Sequence, residues 1–186
     1  SDAVIKKSLE DLSTPVRIAG LEALAVRPIP DTRPRLRILA GNARPEVRRP
    51  AVLAWLKSLS PAEDSLIFPF VSPLLFDTDE EIRIIAVNAV EDLNDSQTTN
   101  AIGALVIDQS PRVRSAVARV LGLMRTGVAL QYLGKMAGDG DPAVRRAVVE
   151  ALGRFRQDDS GPILRSMAER ETDSGLRGLI DATLSR

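Results

Sequence analysis

The chain has 186 residues, of which 44% are hydrophobic, enough to bury a sizeable core, yet aromatics make up only 3%. That core must come from Ala, Val, Leu and Ile, which suits closely packed helices. The formal net charge is zero and there is neither Cys nor His, which excludes disulfides, thiolate sites, imidazole general bases and Ser–His or Cys–His nucleophile pairs. No apolar run approaches the roughly 18 residues of a membrane span, so no membrane insertion is expected. The opening "SDAVIKKSLEDLS" also lacks the apolar segment of a signal peptide, so the default compartment is the cytoplasm. It does not begin with Met, and the expectation is a piece excised from a longer protein.

In chain order, residues 1–12 read as a short helix without a helix before it. A longer helix opens near Ser13 and is then restated down the chain. An apolar residue followed by Arg recurs as Val16-Arg17, Val47-Arg48, Ile82-Arg83, Val113-Arg114, Val144-Arg145 and Leu176-Arg177, with Arg spacings of 31, 35, 31, 31 and 32. Four residues before each Arg stand Ser13, Arg44, Asp79, Ser110, Asp141 and Asp173, all but Arg44 good N-cap residues. Pro45, Pro111 and Pro142 follow at the first helical position, where a missing N–H costs nothing. Two residues before each cap stands an acid or Asn: Asp11, Asn42, Asp77, Asp108, Asp139 and Glu171. Ala23, Ala54, Ala89, Val120 and Ala151 share one later column and Leu24, Trp55, Val90, Leu121 and Leu152 the next, completing an apolar helical stripe.

Between these A helices lie B segments at roughly 31–41, 61–76, 96–108, 126–138 and 160–170, with stripes such as Leu130/Leu133/Met136. Residues 173–185 form a last A helix without a B partner, so the chain is cut out of phase with its repeat. Its "GLIDA" aligns better after a one-residue shift, which leaves Arg177 outside the Arg column. The expected fold is all-α: about six repeats of paired antiparallel helices over residues 1–186 as a single domain, each pair burying its apolar face against the next.

The pattern carried by "DPAVRRAVVEALG", in paired helices with a period near 31, resembles HEAT repeats, and in particular the short bacterial kind also found in phycobilin lyases. The resemblance implies a right-handed α–α superhelix, and that the B helices line its concave surface. It does not by itself imply an activity. Deoxyhypusine hydroxylase uses similar repeats, but its metal is held by His–Glu pairs, and with no His that carry-over fails at every position. No EF-hand spacing occurs, so no catalytic residue, metal or cofactor is assigned.

The column residues Arg17, Arg48, Arg83, Arg114 and Arg145 are read as architectural, forming with the recurring acids a ladder of charge-assisted contacts between adjacent turns. The repeat is broken most plainly at "SPAEDSLIFPFVSPLLF", residues 60–76. Ser60, Pro61 and Glu63 form a cap, an N1 proline and a capping-box acid, and the unit is four residues longer than its neighbours, about one helical turn. Pro69 and Pro73 favour a kink. Phe68, Phe70 and Phe76, three of the four phenylalanines, are either an apolar ledge for a partner or filler for the gap that a kinked helix leaves. Charge is uneven too: residues 27–49 carry a balance of +5 and residues 77–95 a balance of −6.

On the first full B helix, Leu36, Leu39 and Ala40 face the core, which sets Arg33 and Arg37 on the opposite face. The same reasoning selects Gln131 and Lys135, then Arg165 and Glu169. These six residues, with Phe68 and Phe70, are the candidate partner-binding residues. A non-catalytic scaffold that holds a protein partner along the groove is the leading reading, and self-association through exposed repeat ends is a further possibility. The alternatives are a nucleic-acid-binding or base-acting protein using the basic 27–49 section, and a bilin-handling relative of the phycobilin lyases. Nucleic acid is disfavoured because the acidic section interrupts the basic one.

Overall fold

The structure, a computed structural model, describes residues 1–185; the last residue of the expected 1–186 domain lies outside the described residues. Among the described residues there are twelve α-helices and no strand. They are α1 (Asp2–Ser8), α2 (Thr14–Val26), α3 (Arg33–Leu39), α4 (Pro45–Lys57), α5 (Ile67–Val71), α6 (Glu80–Ala89), α7 (Ser96–Gly103), α8 (Pro111–Met124), α9 (Gly127–Met136), α10 (Pro142–Leu152), α11 (Gln157–Arg170) and α12 (Ser174–Leu184). The chain groups into two compact units, Ser1–Ile85 and the stretch from Ala86 onward.

In the first unit the A helices α2 and α4 pack on each other, with α1 and α3 as their B partners. In the second, α8 packs on α10 and α10 on α12, while α7, α9 and α11 form the B layer. The sequence columns explain the order. Val113, Val117, Val120 and Leu121 of α8, and Val144, Val148, Ala151 and Leu152 of α10, are all buried. Each such Val or Leu contributes about 1.5–3 kcal/mol by leaving water. Gly122 lets these two helices approach closely, since a Cβ there would stand 2.6 Å from Ala151 Cβ and 2.7 Å from its Cα. The column residue Val16 alone is 40% exposed, against complete burial at Val47, Ile82, Val113 and Val144; among the described residues α2 packs mainly on α1 and α4. Val4, Val16, Ala19 and Ala23 there line an apolar groove of about 410 Å³.

Helix starts follow the capping expectation only in part. Asp95, Asp141 and Asp173 accept backbone N–H groups with their carboxylates, and Asp79 Oδ1 accepts from the Ile82 N–H at 3.2 Å. Ser13 and Ser110 occupy the N-cap positions without a side-chain cap bond. Pro45, Pro111 and Pro142 open α4, α8 and α10 as expected.

The 61–76 segment departs from the single kinked helix expected there. It is a 3₁₀ turn at Pro61–Leu66, the five-residue α5, and a second 3₁₀ turn at Ser72–Phe76. Glu63 leaves helical geometry at φ −108, ψ 17, and Pro73 opens the second 3₁₀ turn. Proline cannot donate the i→i−4 bond, so a tighter turn replaces the α-helix on both sides. The capping box is present: the Ser60 N–H and hydroxyl both donate to Glu63 Oε2 at 2.9 Å.

Candidate functional site

The recurring Arg and acid form one repeated device. Arg114 donates from Nε and Nη2 to the two Asp139 oxygens at 2.7 and 2.8 Å, and Arg145 does the same to Glu171 at 2.7 and 2.9 Å. In the first unit Arg48 holds Asp77 at 3.1 and 2.7 Å. The Nη1 group of each Arg reaches back to the loop before its own helix: Arg48 to the Asn42 and Ala43 carbonyls, Arg114 to Asp108, Arg145 to Asp139. Each acid also accepts an N–H two residues on, Asp77 from Asp79, Asp139 from Asp141, Glu171 from Asp173. One guanidinium thus closes a loop and ties two successive turns.

The charged forms are held in place. The Arg145 hydrogen bonds lower the Glu171 carboxyl to about 2, although its burial works the other way. Burial raises the Asp139 carboxyl, and the Arg114 bonds and the Asp141 N–H more than reverse that. Arg17 binds its own loop through the Asp11 and Leu12 carbonyls, but the next turn offers it Asn42 rather than an acid. Arg83 is buried, with Nη1 on the Asp77 carbonyl. Arg177 is exposed, as its misfit to the column suggested.

The adjoining ends of the two charge blocks meet in space. Arg48 and Arg49 of the basic section bind Asp77 and Asp79 of the acidic one. Arg27 pairs with Asp2 and Arg33 with Glu63. The ladder joins residues about thirty apart, close to the distance from Arg48 and Arg49 at the end of the basic block to Asp77 and Asp79 at the start of the acidic one.

The candidate binding residues divide accordingly. Arg33 is spent inside the fold: it holds both Glu63 oxygens at 2.6 and 2.9 Å, donates from Nε to Ser58 Oγ at 3.0 Å, and binds the Ser58 carbonyl. It ties the end of α4 to the capping box, and it lowers the Glu63 carboxyl to about 2. Arg37 is exposed, its guanidinium 5.9 Å from the Phe70 ring centre. Phe70 packs inward, 5% exposed and stacked on Trp55 with ring centres 3.7 Å apart. Phe68 is half-buried, and the open apolar surface of the segment belongs instead to Leu66 and Phe76.

In the second unit, Gln131, Lys135, Arg165 and Glu169 are all exposed. Lys135 Nζ lies 4.9 Å from the Tyr132 ring centre, and that ring sits where Gly103 leaves α7 without a side chain. The Tyr132 hydroxyl donates to Asn100 Oδ1 at 3.2 Å, joining α9 to α7. On the other side Gly134 faces Ile163 of α11. These B helices carry the exposed polar side chains Asn100, Gln131, Lys135 and Arg165. Two features missed in the sequence are the Arg33–Glu63–Ser58 clamp and the Trp55–Phe70 stack. Among the described residues, no group of three or more acidic, His or Cys side chains could hold a metal ion, and no helix is long and apolar enough to cross a membrane.

Solved structures place the architecture in the armadillo- and HEAT-type class of helical-repeat proteins. E. coli YibA superposes with a TM-score of 0.70 at 20% identity, over 99% of this chain and 67% of that one. A designed armadillo repeat protein in complex with the peptide (KR)4 gives 0.65 at 17%, over 97% of each chain. Human deoxyhypusine hydroxylase in complex with glycerol gives 0.57 at 20%, over 98% of this chain and 72% of that one. HEAT repeats match residues 68–141 and 102–184, and the chain belongs to the HEAT-repeat family. No curated protein matches the sequence.

Proposed function

We propose that this chain is a binding scaffold that holds a segment of a partner protein along the B-helix face of α7, α9 and α11, with no catalytic step of its own. One observation carries the reading. The side chains of Gln131, Arg165 and Glu169 are exposed and make no hydrogen bond or ion pair among the described residues, and Lys135 stands by the Tyr132 ring. The ladder arginines and Arg33 are instead consumed by the fold. Unspent polar groups on a rigid, internally satisfied frame are what a recognition face needs, since few of them must be reorganised on binding. The designed armadillo neighbour in complex with the peptide (KR)4 supports this reading by its likeness in fold. Arg37 of the first unit is the remaining cation of the expected groove pair.

The test is affinity capture from nuclease-treated lysate of the source organism, with wild-type protein beside a Lys135→Glu/Arg165→Glu variant and an Arg37→Glu variant. The expected outcome is a discrete protein retained by wild type and lost from the double variant, whose circular dichroism and melting are unchanged. Identical capture by all three baits overturns the B-face reading. Capture that disappears on nuclease treatment alone moves the assignment to nucleic acid.

A further inference from the structure

The turn "AGDGD" between α9 and α10 contains two glycines that the backbone does not require. Neither Gly138 nor Gly140 has positive φ, and a Cβ on either would meet nothing within 4 Å. The matching position before the column acid holds Glu10, Gly41, Phe76, Ile107, Gly138 and Arg170, and large apolar residues stand there in the third and fourth repeats. Phe76 is 65% exposed and Ile107 86%, so this position projects outward. At Gly138 no side chain stands there, and Gly138 lines a cavity of about 380 Å³. That is within the range of pockets that take a side chain or small ligand.

Met167 and Ala137 supply apolar lining, and Arg145, Glu171 and Arg170 the polar part. The carboxylates are sealed behind their guanidinium partners: the side chain of Glu171 is 3% exposed and that of Asp139 is 9%. The charge that reaches solvent is therefore mainly cationic. Arg170 is exposed and is steadied by Ser166, with Nε on the Ser166 carbonyl at 3.0 Å and Nη2 on its hydroxyl at 2.7 Å. Its Nη1 has no partner among the described residues. Arg165 and Lys135 stand on the adjoining B face, with Glu169 as the opposing charge.

We infer that this cavity is an anchoring pocket for an acidic side chain of the bound segment, its methylene stem on Met167 and its carboxylate on Arg170. The inference rests on the B-face reading above and adds a specificity to it: an acidic rather than a basic partner segment. Carboxylate on a pre-positioned guanidinium is a strong, directional pairing. The C-terminal ends of α9 and α11 also point here and oppose an anion, which makes a direct contest between anionic and cationic probes decisive.

The probes are two fluorescein-labelled octapeptides, one of alternating Glu and Leu and one of alternating Lys and Leu, followed by fluorescence polarisation at low salt. The Glu–Leu peptide is expected to bind at least about tenfold more tightly than the Lys–Leu peptide, and to weaken as salt is raised. Gly138→Phe places at the cavity's edge the residue type present at Phe76, and its Cβ meets nothing within 4 Å. It is expected to lower that affinity at least about tenfold with unchanged thermal melting, and Arg170→Glu to do the same. Equal or tighter binding of the Lys–Leu peptide overturns the inference, as does unaltered binding by Gly138→Phe. Binding that survives Gly138→Phe but is lost in Lys135→Glu/Arg165→Glu leaves the B face standing and removes only the pocket. Absence of binding by either peptide removes the acidic specificity, while the capture experiment still decides the broader reading.

Discussion

From Ala86 onward the repeat runs with little interruption: A helices stack through Val, Ala and Leu, the ladder links Arg114 to Asp139 and Arg145 to Glu171, and the B helices present amide and cationic side chains. In Ser1–Ile85 the same columns are present, but one B helix is broken in three, and an aromatic stack fills the interior. Its exposed B-face positions include Pro34, Pro69, Ile38 and Pro73, where the second unit has Asn100, Gln131, Ala104 and Lys135 at the corresponding places. The difference shows how a repeat tolerates a departure. Extra length and prolines are accommodated when larger side chains fill the space that regular packing would have closed, and the Arg33 clamp on Glu63 pins the irregular stretch to α4. The regular unit leaves the Gln131 and Arg165 side chains without hydrogen bonds among the described residues, whereas the irregular one uses Arg33 to hold itself together.

The strongest break in this contrast is Trp55→Ala. The residue is 4% exposed and stacked on Phe70, and its truncation leaves the irregular segment without its filler. The expected cost is about 3–5 kcal/mol in urea unfolding followed by circular dichroism. A cost below about 1 kcal/mol would mean that Leu66 and Phe68 collapse into the gap and that the aromatic stack is dispensable.

Next is the ladder. Arg145→Leu strands the nearly sealed Glu171 carboxylate, at an expected cost of about 3 kcal/mol at neutral pH. Arg33→Leu costs less, because Glu63 is more open to water and keeps the Ser60 donors. Acid titration of the two variants separates the pairs. Glu171 and Glu63 are each lowered from the ordinary 4.5 to about 2 in the fold. The unfolded chain therefore binds protons first as pH falls. The contribution of each pair is complete above about 4.5 and is lost as pH drops through about 2. Arg145→Leu is expected to flatten the Glu171 part of that acid slope and leave the Glu63 part. An unchanged slope would show that Glu171 is not held by Arg145 in solution.

Much of this architecture was legible because it is written as columns. The Arg–acid ladder, the Pro-opened A helices and the Val/Ala/Leu stripe each recur at a fixed offset, and a recurring residue in a repeat is scaffold. Arg17 was read into the ladder with the other column arginines; Asn42 stands in the acid column across its turn, and Arg17 instead binds the Asp11 and Leu12 carbonyls of its own loop. The Arg33–Glu63 clamp was not legible, because Glu63 occurs once and its capping role looked sufficient. The separation of charge along the chain was misleading where the blocks adjoin, for a definite reason: a pairing offset near one repeat length ties Arg48 and Arg49 of the basic block to Asp77 and Asp79 of the acidic one. The open turn at Gly138 was hidden as well, since glycine in a loop ordinarily signals a backbone need that is absent here.

The finest test of regular against irregular packing compares two helix-interior glycines. At Gly122 an added Cβ would collide with Ala151 Cβ at 2.6 Å and with its Cα at 2.7 Å, so α8 and α10 must move apart. At Gly20 the first obstacle, at 1.9 Å, is Ser8 Oγ, the free end of a short side chain, with Ser8 Cβ behind it at 3.1 Å. That hydroxyl bonds the Ile5 carbonyl, and it can rotate away at the expense of one hydrogen bond. Replacing Gly by Ala inside a helix gains up to about 1 kcal/mol of helix propensity at either site. Gly122→Ala is therefore expected to lose about 2 kcal/mol net, because a backbone clash exceeds that gain. Gly20→Ala is expected to stay within about 0.5 kcal/mol of wild type, the rotamer change and the propensity offsetting each other. Equal costs at both positions would mean that α1 and α2 are packed as rigidly as α8 and α10, and that the distinction between the two units is confined to the 61–76 segment.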